Sequence, residues 1–162
     1  MDTRKKIFTR EALRRVLDQH RRRRETVVLA NGCFDVLHAG HVRYLEGARH
    51  EGDVLVVGIN SDASERRLKG PGRPILPEQA RAELVAGLRA VDYVVIFDEL
   101  NVESLLTDLR PDVHAKGTDY TAETVPEREL AARLGIRVAI VGDPKFHSTQ
   151  ELIARVRGRG NA

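Results

Sequence analysis

The sequence predicts one doubly wound α/β domain, a parallel five-stranded sheet with an N-terminal helix. Three observations carry that expectation. Short, β-branched apolar runs alternate with segments of about ten residues whose apolar positions recur at helical spacing. The apolar runs lack the in-and-out alternation of a half-solvated strand, so they fit strands covered on both faces. A chain of 162 residues with 41% hydrophobic and 31% charged side chains suits one soluble domain with a core of useful size.

The elements follow in order. Thr9 is placed to cap a helix over 10–23, with Leu13, Val16, Leu17 and His20 at helical spacing. TVVLA at 26–30 is the first buried strand, and a helix from Gly40 to His50 turns Val42, Leu45 and Ala48 inward. DVLVVGIN at 53–60 is the second strand. The polar stretch SDASERRLKGPGRPILP at 61–77 reads as the longest irregular segment, and the helix after it starts near Glu78 and carries Ala82, Val85 and Leu88. DYVVIF at 92–97 is the third strand, VESLLTDL at 102–109 its helix, and PDVHAKG at 111–117 the fourth strand. A helix from Pro126 to Leu134 has proline near its first turn, RVAIVG at 137–142 is the fifth strand, and TQELIARVR at 149–157 is the closing helix. Helices of this length between parallel strands imply right-handed crossovers, giving a Rossmann-like sheet. The chain divides into a basic helical extension at 1–24 and the domain proper at 25–162, with no internal repeat.

Charge and composition narrow the function. The net charge of +3 hides an asymmetry: residues 1–24 hold ten Lys/Arg against three Asp/Glu, and the rest is net negative. RRRR at 21–24 could touch a polyanion, but the segment has only Phe8 for stacking on bases, and cations also suit a helix C-terminus. Nucleic acid is therefore not the expected partner. No apolar run approaches the roughly 20 residues that cross a bilayer, and the basic start lacks the apolar core of a secretory signal. A single cysteine, Cys33, allows no internal disulfide and is compatible with a reducing cytoplasm, the expected location.

In a doubly wound sheet, ligands bind outside the carboxyl ends of the strands. That selects the loops 31–41, 60–73, 115–120 and 142–149. The first, NGCFDVLHAGH, carries neither a dinucleotide fingerprint nor a Walker A sequence. It offers Gly32 for a tight turn, then His38, Gly40 and His41 at a helix N-terminus, where free N–H groups and the positive dipole end attract an anion. Gly40 leaves room for close approach of a phosphate. Two other readings stand on the residues alone. A zinc site would need further ligands, for which only His114 and His147 lie near the strand ends, and a plain structural turn would need no ligand at all.

HAGH and the block NGCFDVLHAGHVRYL resemble the H-x-G-H nucleotidylyltransferase superfamily in its cytidylyltransferase-like form. The stretch GINSDASERRLKGPGRPILPEQARAELVAGLRAVDYVVIFDE, with KGTDY at 116–120 and HSTQELI at 147–153, is similar to the adenylyltransferase domain of bacterial D-glycero-β-D-manno-heptose 1-phosphate adenylyltransferases (ADP-heptose synthases). The resemblance covers residues 25–157. It implies that ATP and a heptose 1-phosphate give ADP-heptose and pyrophosphate, by direct displacement without a covalent enzyme intermediate.

The resemblance also implies roles. His38 and His41 would stabilise charge on the triphosphate, and Lys69, flanked by Arg66 and Arg67 in a mobile loop, would close over it as a third catalytic group. Asn31, Gly32, Cys33, Phe34 and Gly40 would line the nucleotide pocket. Arg81 would reach a phosphate, Lys116, Gly117 and Asp119 would meet ribose or base, and Ser148 and Thr149 would form a second anion site. Asp35, Asn60 and Asp62 would face the acceptor or fix its loop. Each has a plainer reading: a solvated charge for Lys69, a surface salt bridge for Arg81, a helix cap for Ser148 and Thr149. Mg²⁺ would accompany ATP, with no metal site built by the protein itself. A separate sugar kinase and phosphatase would supply the acceptor, the product would feed lipopolysaccharide core or another glycan, and a homodimer is possible. Phe146 and His147 depart from the small residues usual before Ser-Thr in such sequences. Glycerol 3-phosphate cytidylyltransferase, FMN adenylyltransferase and a non-catalytic nucleotide or nucleic-acid binder are the competing readings.

Overall fold

The computed structural model describes residues 1–144 and 148–159. A 3-10 turn at Thr3–Lys6 leads into β1 (Ile7–Phe8), α1 (Arg10–Arg22), β2 (Val27–Gly32), α2 (Ala39–Arg49), β3 (Val54–Asn60), α3 (Asp62–Lys69) and α4 (Glu78–Ala86). Then come β4 (Tyr93–Phe97), α5 (Glu103–Leu109), β5 (Val113–Gly117), α6 (Arg128–Leu134), β6 (Arg137–Val141) and α7 (Thr149–Arg159). All strands pair in parallel in the order β1-β4-β3-β2-β5-β6.

Strand residues feed the two faces alternately. Val28, Ala30, Leu55, Val57 and Ile59 pack with Leu45 and Ala48 of α2 and Ala82, Val85 and Ala86 of α4. Val27, Leu29, Val54 and Val56 pack on the opposite face with Leu13 and Leu17 of α1, Leu105, Leu106 and Leu109 of α5 and Ala131 of α6. Burial on both faces explains why the sequence runs are continuously apolar.

Two expectations are corrected. The sheet has six strands, not five, because Ile7 and Phe8 pair with Val94 and Val95 as an added edge. Two residues are too short to give a period-two signal in the sequence. The stretch after β3 is not wholly irregular. Ser61 accepts from the Ser64 N–H at 3.1 Å, Asp62 and Glu65 occupy the first turn, and Gly70 (φ 90°) ends α3. These are ordinary start and stop signals, masked in the sequence by the absence of an apolar stripe. Lys69 thus stands on the last turn of a helix rather than on a mobile loop.

The N-terminal segment is fastened to the domain. Thr9 caps α1, and Leu13 and Leu17 are fully buried. Lys6 donates to the Val91 carbonyl at 2.6 Å, and Arg10 pairs with Glu99 at 2.8 Å and Asp108 at 3.0 Å. Arg21 donates to the carbonyls of Leu109 and Arg110, while Arg22, Arg23 and Arg24 are exposed at the end of the helix. Among the described residues no helix is long and apolar enough to cross a membrane.

Candidate active site

The strand order reverses between β2 and β5, since β3 and β4 lie on one side of β2 and β5 and β6 on the other. At the carboxyl ends of β2 and β5 the chain encloses a cavity of about 560 Å³, the size of a small-ligand site. It is lined by Asn31, Gly32, Cys33, Phe34, Asp35, His38, Gly40 and His41 of the first loop, with Asn60 and Lys69 beside them. Lys116, Gly117 and Asp119 follow β5, and Ser148 and Thr149 stand at the start of α7. Asp62 and Arg81 do not line it. Arg43, Tyr44, Arg73 and Tyr120 do, and the sequence reading missed them. Phe146 and His147 lie outside the described residues.

His38 is the N-cap of α2, its Nδ1 accepting from the Gly40 N–H at 3.1 Å. His41 reaches back, its Nδ1 accepting from the His38 N–H at 3.3 Å. The rings stack with centroids 3.8 Å apart. With both Nδ1 atoms accepting, the neutral imidazoles carry their protons on Nε2, an inference from the hydrogen bonds. The pair therefore acts as a capping box made of imidazoles, with two Nε2–H groups on one short segment of the cavity wall.

The wall behind them is strained and tightly packed. Phe34 adopts φ 50° although it is a bulky aromatic, and is 3% exposed. Its ring lies 5.1 Å from that of His41 and stacks 6.5 Å from Tyr44. Gly32 allows this, because a Cβ there would stand 3.1 Å from the Phe34 ring. Tyr44 donates to the Ala115 carbonyl at 2.8 Å and accepts from the Asn31 N–H at 3.4 Å, tying α2 across β2 and β5. Burial pushes its phenol well above the usual range.

A buried ion cluster holds the opposite wall. Arg81 is fully buried, and it donates from Nη1 to the carbonyls of Cys33 (2.6 Å) and Asn60 (2.8 Å). Its Nε donates to the Leu76 carbonyl at 3.0 Å, Nη2 to Asp62 at 2.8 Å, and Nη1 also lies 3.1 Å from Glu65. The expected phosphate ligand is thus a clamp joining the ends of β2 and β3 to α3 and the turn before α4. Asp35 is equally committed, accepting from the N–H groups of Ile75 and Leu76 and from Arg73 Nε at 2.7 Å. Burial alone would raise its carboxyl, but these donors outweigh it and hold the group below the usual range. Glu65 goes the other way: burial and the charge of Asp35 push it up, against the pull of Arg81 and Arg73.

The remaining walls are more open. Lys116 pairs with Glu127 at 3.6 Å and lies 4.5 Å over the Tyr120 ring. A Cβ on Gly117 would meet nothing within 4 Å, so the backbone there borders open space. Ser148 accepts from the Glu151 N–H at 3.1 Å, capping α7 as its plainer reading requires while also lining the cavity.

A family model described as cytidylyltransferase-like matches residues 29–154, from β2 into α7. The chain belongs to this cytidylyltransferase-like family, and it is a nucleotidyltransferase. It is 53% identical over 154 residues to the bifunctional protein HldE of Syntrophotalea carbinolica, covering 95% of this chain and 31% of that protein. It is 44% identical over 151 residues to the HldE of Pseudomonas fluorescens, covering 93% of this chain and 32% of that protein. The chain thus spans about a third of the length of the curated relatives it matches. A lipopolysaccharide core biosynthesis protein from Thermoplasma volcanium superposes with a TM-score of 0.64 at 27% identity, over 75% of this chain and 99% of that one.

Two further features of this nucleotidyltransferase lead to measurable consequences. Burial pushes the Cys33 thiol up to about 11, with the Glu65 charge adding to the effect. Its Sγ donates to Asn60 Oδ1 over a long 3.8 Å. Iodoacetamide at pH 7.5 is therefore expected to alkylate native Cys33 roughly a hundredfold more slowly than free cysteine. Cys33→Ser is expected to keep near-wild-type turnover, and a folded but inactive Cys33→Ser protein would contradict this.

His114 is fully buried in β5, with Nε2 at 3.0 Å from Asn31 Oδ1. Burial, with Lys116 nearby, lowers it to about 3. The unfolded chain takes up this proton near pH 6.5, so the stabilisation is complete above that pH and drains away as pH falls toward the folded value. Between pH 6.5 and 5 the loss is on the order of 2 kcal/mol. Urea unfolding across that window is expected to show this slope in the wild type and a flatter one in His114→Gln. Equal slopes would show that His114 does not titrate between the two states.

Proposed function

We propose that this chain transfers the adenylyl group of ATP to a heptose 1-phosphate, giving ADP-heptose and pyrophosphate. The observation that carries the reading is the stacked His38–His41 pair in a cavity that also gathers Lys69, Arg73 and Lys116. Nε2–H donors and cations suit a triphosphate whose charge shifts toward the leaving group during transfer. The sequence resemblance to heptose 1-phosphate adenylyltransferases supports the choice of acceptor, as does the likeness to the lipopolysaccharide core biosynthesis protein of Thermoplasma volcanium.

An oxygen of the sugar phosphate forms a bond to the α-phosphorus as the bond to the bridging oxygen breaks, and pyrophosphate departs with the electron pair. The attacking oxygen is already anionic, so no base is required. This accords with Asp35 being occupied by the 73–76 turn. His38 and His41 hydrogen-bond the phosphates, Lys69 and Lys116 add positive charge, and Ser148 with Thr149 receives the distal phosphates at the start of α7. Asn60 at the end of β3 lines the acceptor side, Asp62 at the start of α3 holds Arg81 behind it, and Asp119 with Gly117 meets the nucleoside.

Mg²⁺ completes the reading. Among the described residues no three His, Cys, Asp or Glu side chains come together as a cation site. Mg²⁺ would be carried by phosphate oxygens and water and would supply charge neutralisation there. In this reading the reaction runs in the cytoplasm, a sugar kinase and a phosphatase supply the acceptor, and the product feeds lipopolysaccharide core.

Pyrophosphate release with Mg²⁺, crossing ATP and CTP against heptose 1-phosphate, glycerol 3-phosphate and FMN, tests it. Turnover with ATP and heptose 1-phosphate alone is the expected result. Turnover with a different pair replaces the substrates and keeps the phosphate site, and silence across the panel overturns the proposal.

A further inference from the structure

A groove of about 360 Å³ runs between the 71–73 turn and α7, outside the cavity described above. Arg73 and Gln150 line both spaces, so the groove adjoins the nucleotide cavity at those two residues. We propose that this groove is the acceptor subsite, holding the body of a phosphorylated sugar or polyol, with Arg73 gripping its phosphate at the junction. The inference rests on the transfer reaction proposed above and adds where the second substrate lies.

Arg73 is built for that place. Its Nε donates to Asp35 at 2.7 Å and its Nη2 to Glu65 at 3.1 Å, both carboxylates being fully buried. The guanidinium is therefore fixed along one edge. Its Nη1 carries two more N–H groups, which make no hydrogen bond among the described residues, and the side chain is 15% exposed. Arg81 shows the contrast: all three of its nitrogens donate to protein atoms and it is sealed from the cavity. Arg73 instead leaves one nitrogen beside the cavity for a partner from outside. A cation tethered in this way loses little freedom on binding a phosphate.

The transfer geometry agrees with this placement. An attacking phosphate oxygen must stand within about 3–3.5 Å of the α-phosphorus, so the acceptor must enter from space adjoining the nucleotide cavity. Beyond Arg73 the groove presents Arg157 and Gln150 as hydrogen-bond donors beside the apolar Ile153 and Ala154. Such a lining suits the hydroxyl edge and C–H face of a polyol, and the volume lies in the small-ligand range.

The test is calorimetric titration of heptose 1-phosphate into protein saturated with Mg²⁺ and α,β-methylene-ATP, which cannot transfer its adenylyl group. Ala154 is exposed on α7, so Ala154→Trp fills the groove without removing a core contact. It is expected to weaken heptose 1-phosphate by at least about tenfold and leave nucleotide affinity within about twofold. Arg73→Gln is expected to weaken the sugar phosphate similarly, with partial recovery in Arg73→Lys. Unchanged sugar-phosphate binding in Ala154→Trp overturns the subsite. If the wild type binds glycerol 3-phosphate and not heptose 1-phosphate, the heptose assignment fails separately, and the same comparison is read with glycerol 3-phosphate. Loss in Ala154→Trp then upholds the groove and retention overturns it. Binding of neither phosphomonoester overturns both.

Discussion

His38→Asn is expected to lower turnover at least about a hundredfold while leaving the fold intact. The structure makes this variant more informative than alanine. His38 caps α2 through Nδ1, and asparagine is itself a strong cap, so the helix start keeps an acceptor for its N–H. What asparagine removes is the imidazole Nε2–H and the stack with His41. His38→Ala removes both, and should cost about 1 kcal/mol of stability in addition to the rate. His41→Ala is expected to lose rate to a similar extent, because its Nδ1 anchors the His38 N–H and its ring completes the pair. Rates are measured as pyrophosphate release at saturating substrates, with thermal unfolding alongside. Near-wild-type turnover in His38→Asn and His41→Ala together would remove the imidazoles from the mechanism.

Arg81→Met is expected to cost about 3–5 kcal/mol, since it removes one of the two guanidinium partners of a buried carboxylate and leaves three carbonyls without that donor. The carbonyls belong to Cys33, Asn60 and Leu76, and the carboxylate to Glu65. Against a total stability of about 5–15 kcal/mol for a domain, a loss of that size brings the protein close to unfolding. Arg81→Lys keeps the charge but cannot span partners on four segments, so an intermediate loss is expected. Urea unfolding measures both. A loss below about 1 kcal/mol for Arg81→Met would show that the cluster is not the fastening of the cavity wall.

Position in the chain tells less about Arg81 than its surroundings do. As one residue on a predicted helix it is indistinguishable from a cation that reaches out to a phosphate. Only packing reveals that the ends of β2 and β3, α3 and the turn before α4 converge on it. Arg73 shows the reverse. It stands in a stretch that reads as irregular and carries no motif, yet the cluster brings it to the junction of cavity and groove. Tyr44 is hidden by its helical spacing, which marks a core face and says nothing of the Ala115 carbonyl far along the chain. Lys69 is legible in the sequence as a residue of the cavity wall, but its place on a helix is not. The caps of α3 stand in plain view at Ser61 and Gly70, and it is the missing apolar stripe that makes the segment look irregular.

The sequence by itself determined the five main strands and their helices, the carboxyl-end loops where a ligand belongs, and the paired histidines at the start of α2. Those features are local: apolar period, cap residues and a short motif act within a few residues of one another. The tertiary structure decided the sixth strand, which exists only because β4 offers an unpaired edge. It also decided which cations face the cavity and which are spent inside the wall. Those outcomes depend on contacts between residues far apart in the chain, such as Arg73 with Asp35 and Arg81 with Cys33. Burial makes such contacts strong, because a charge removed from water must find its partner within the fold.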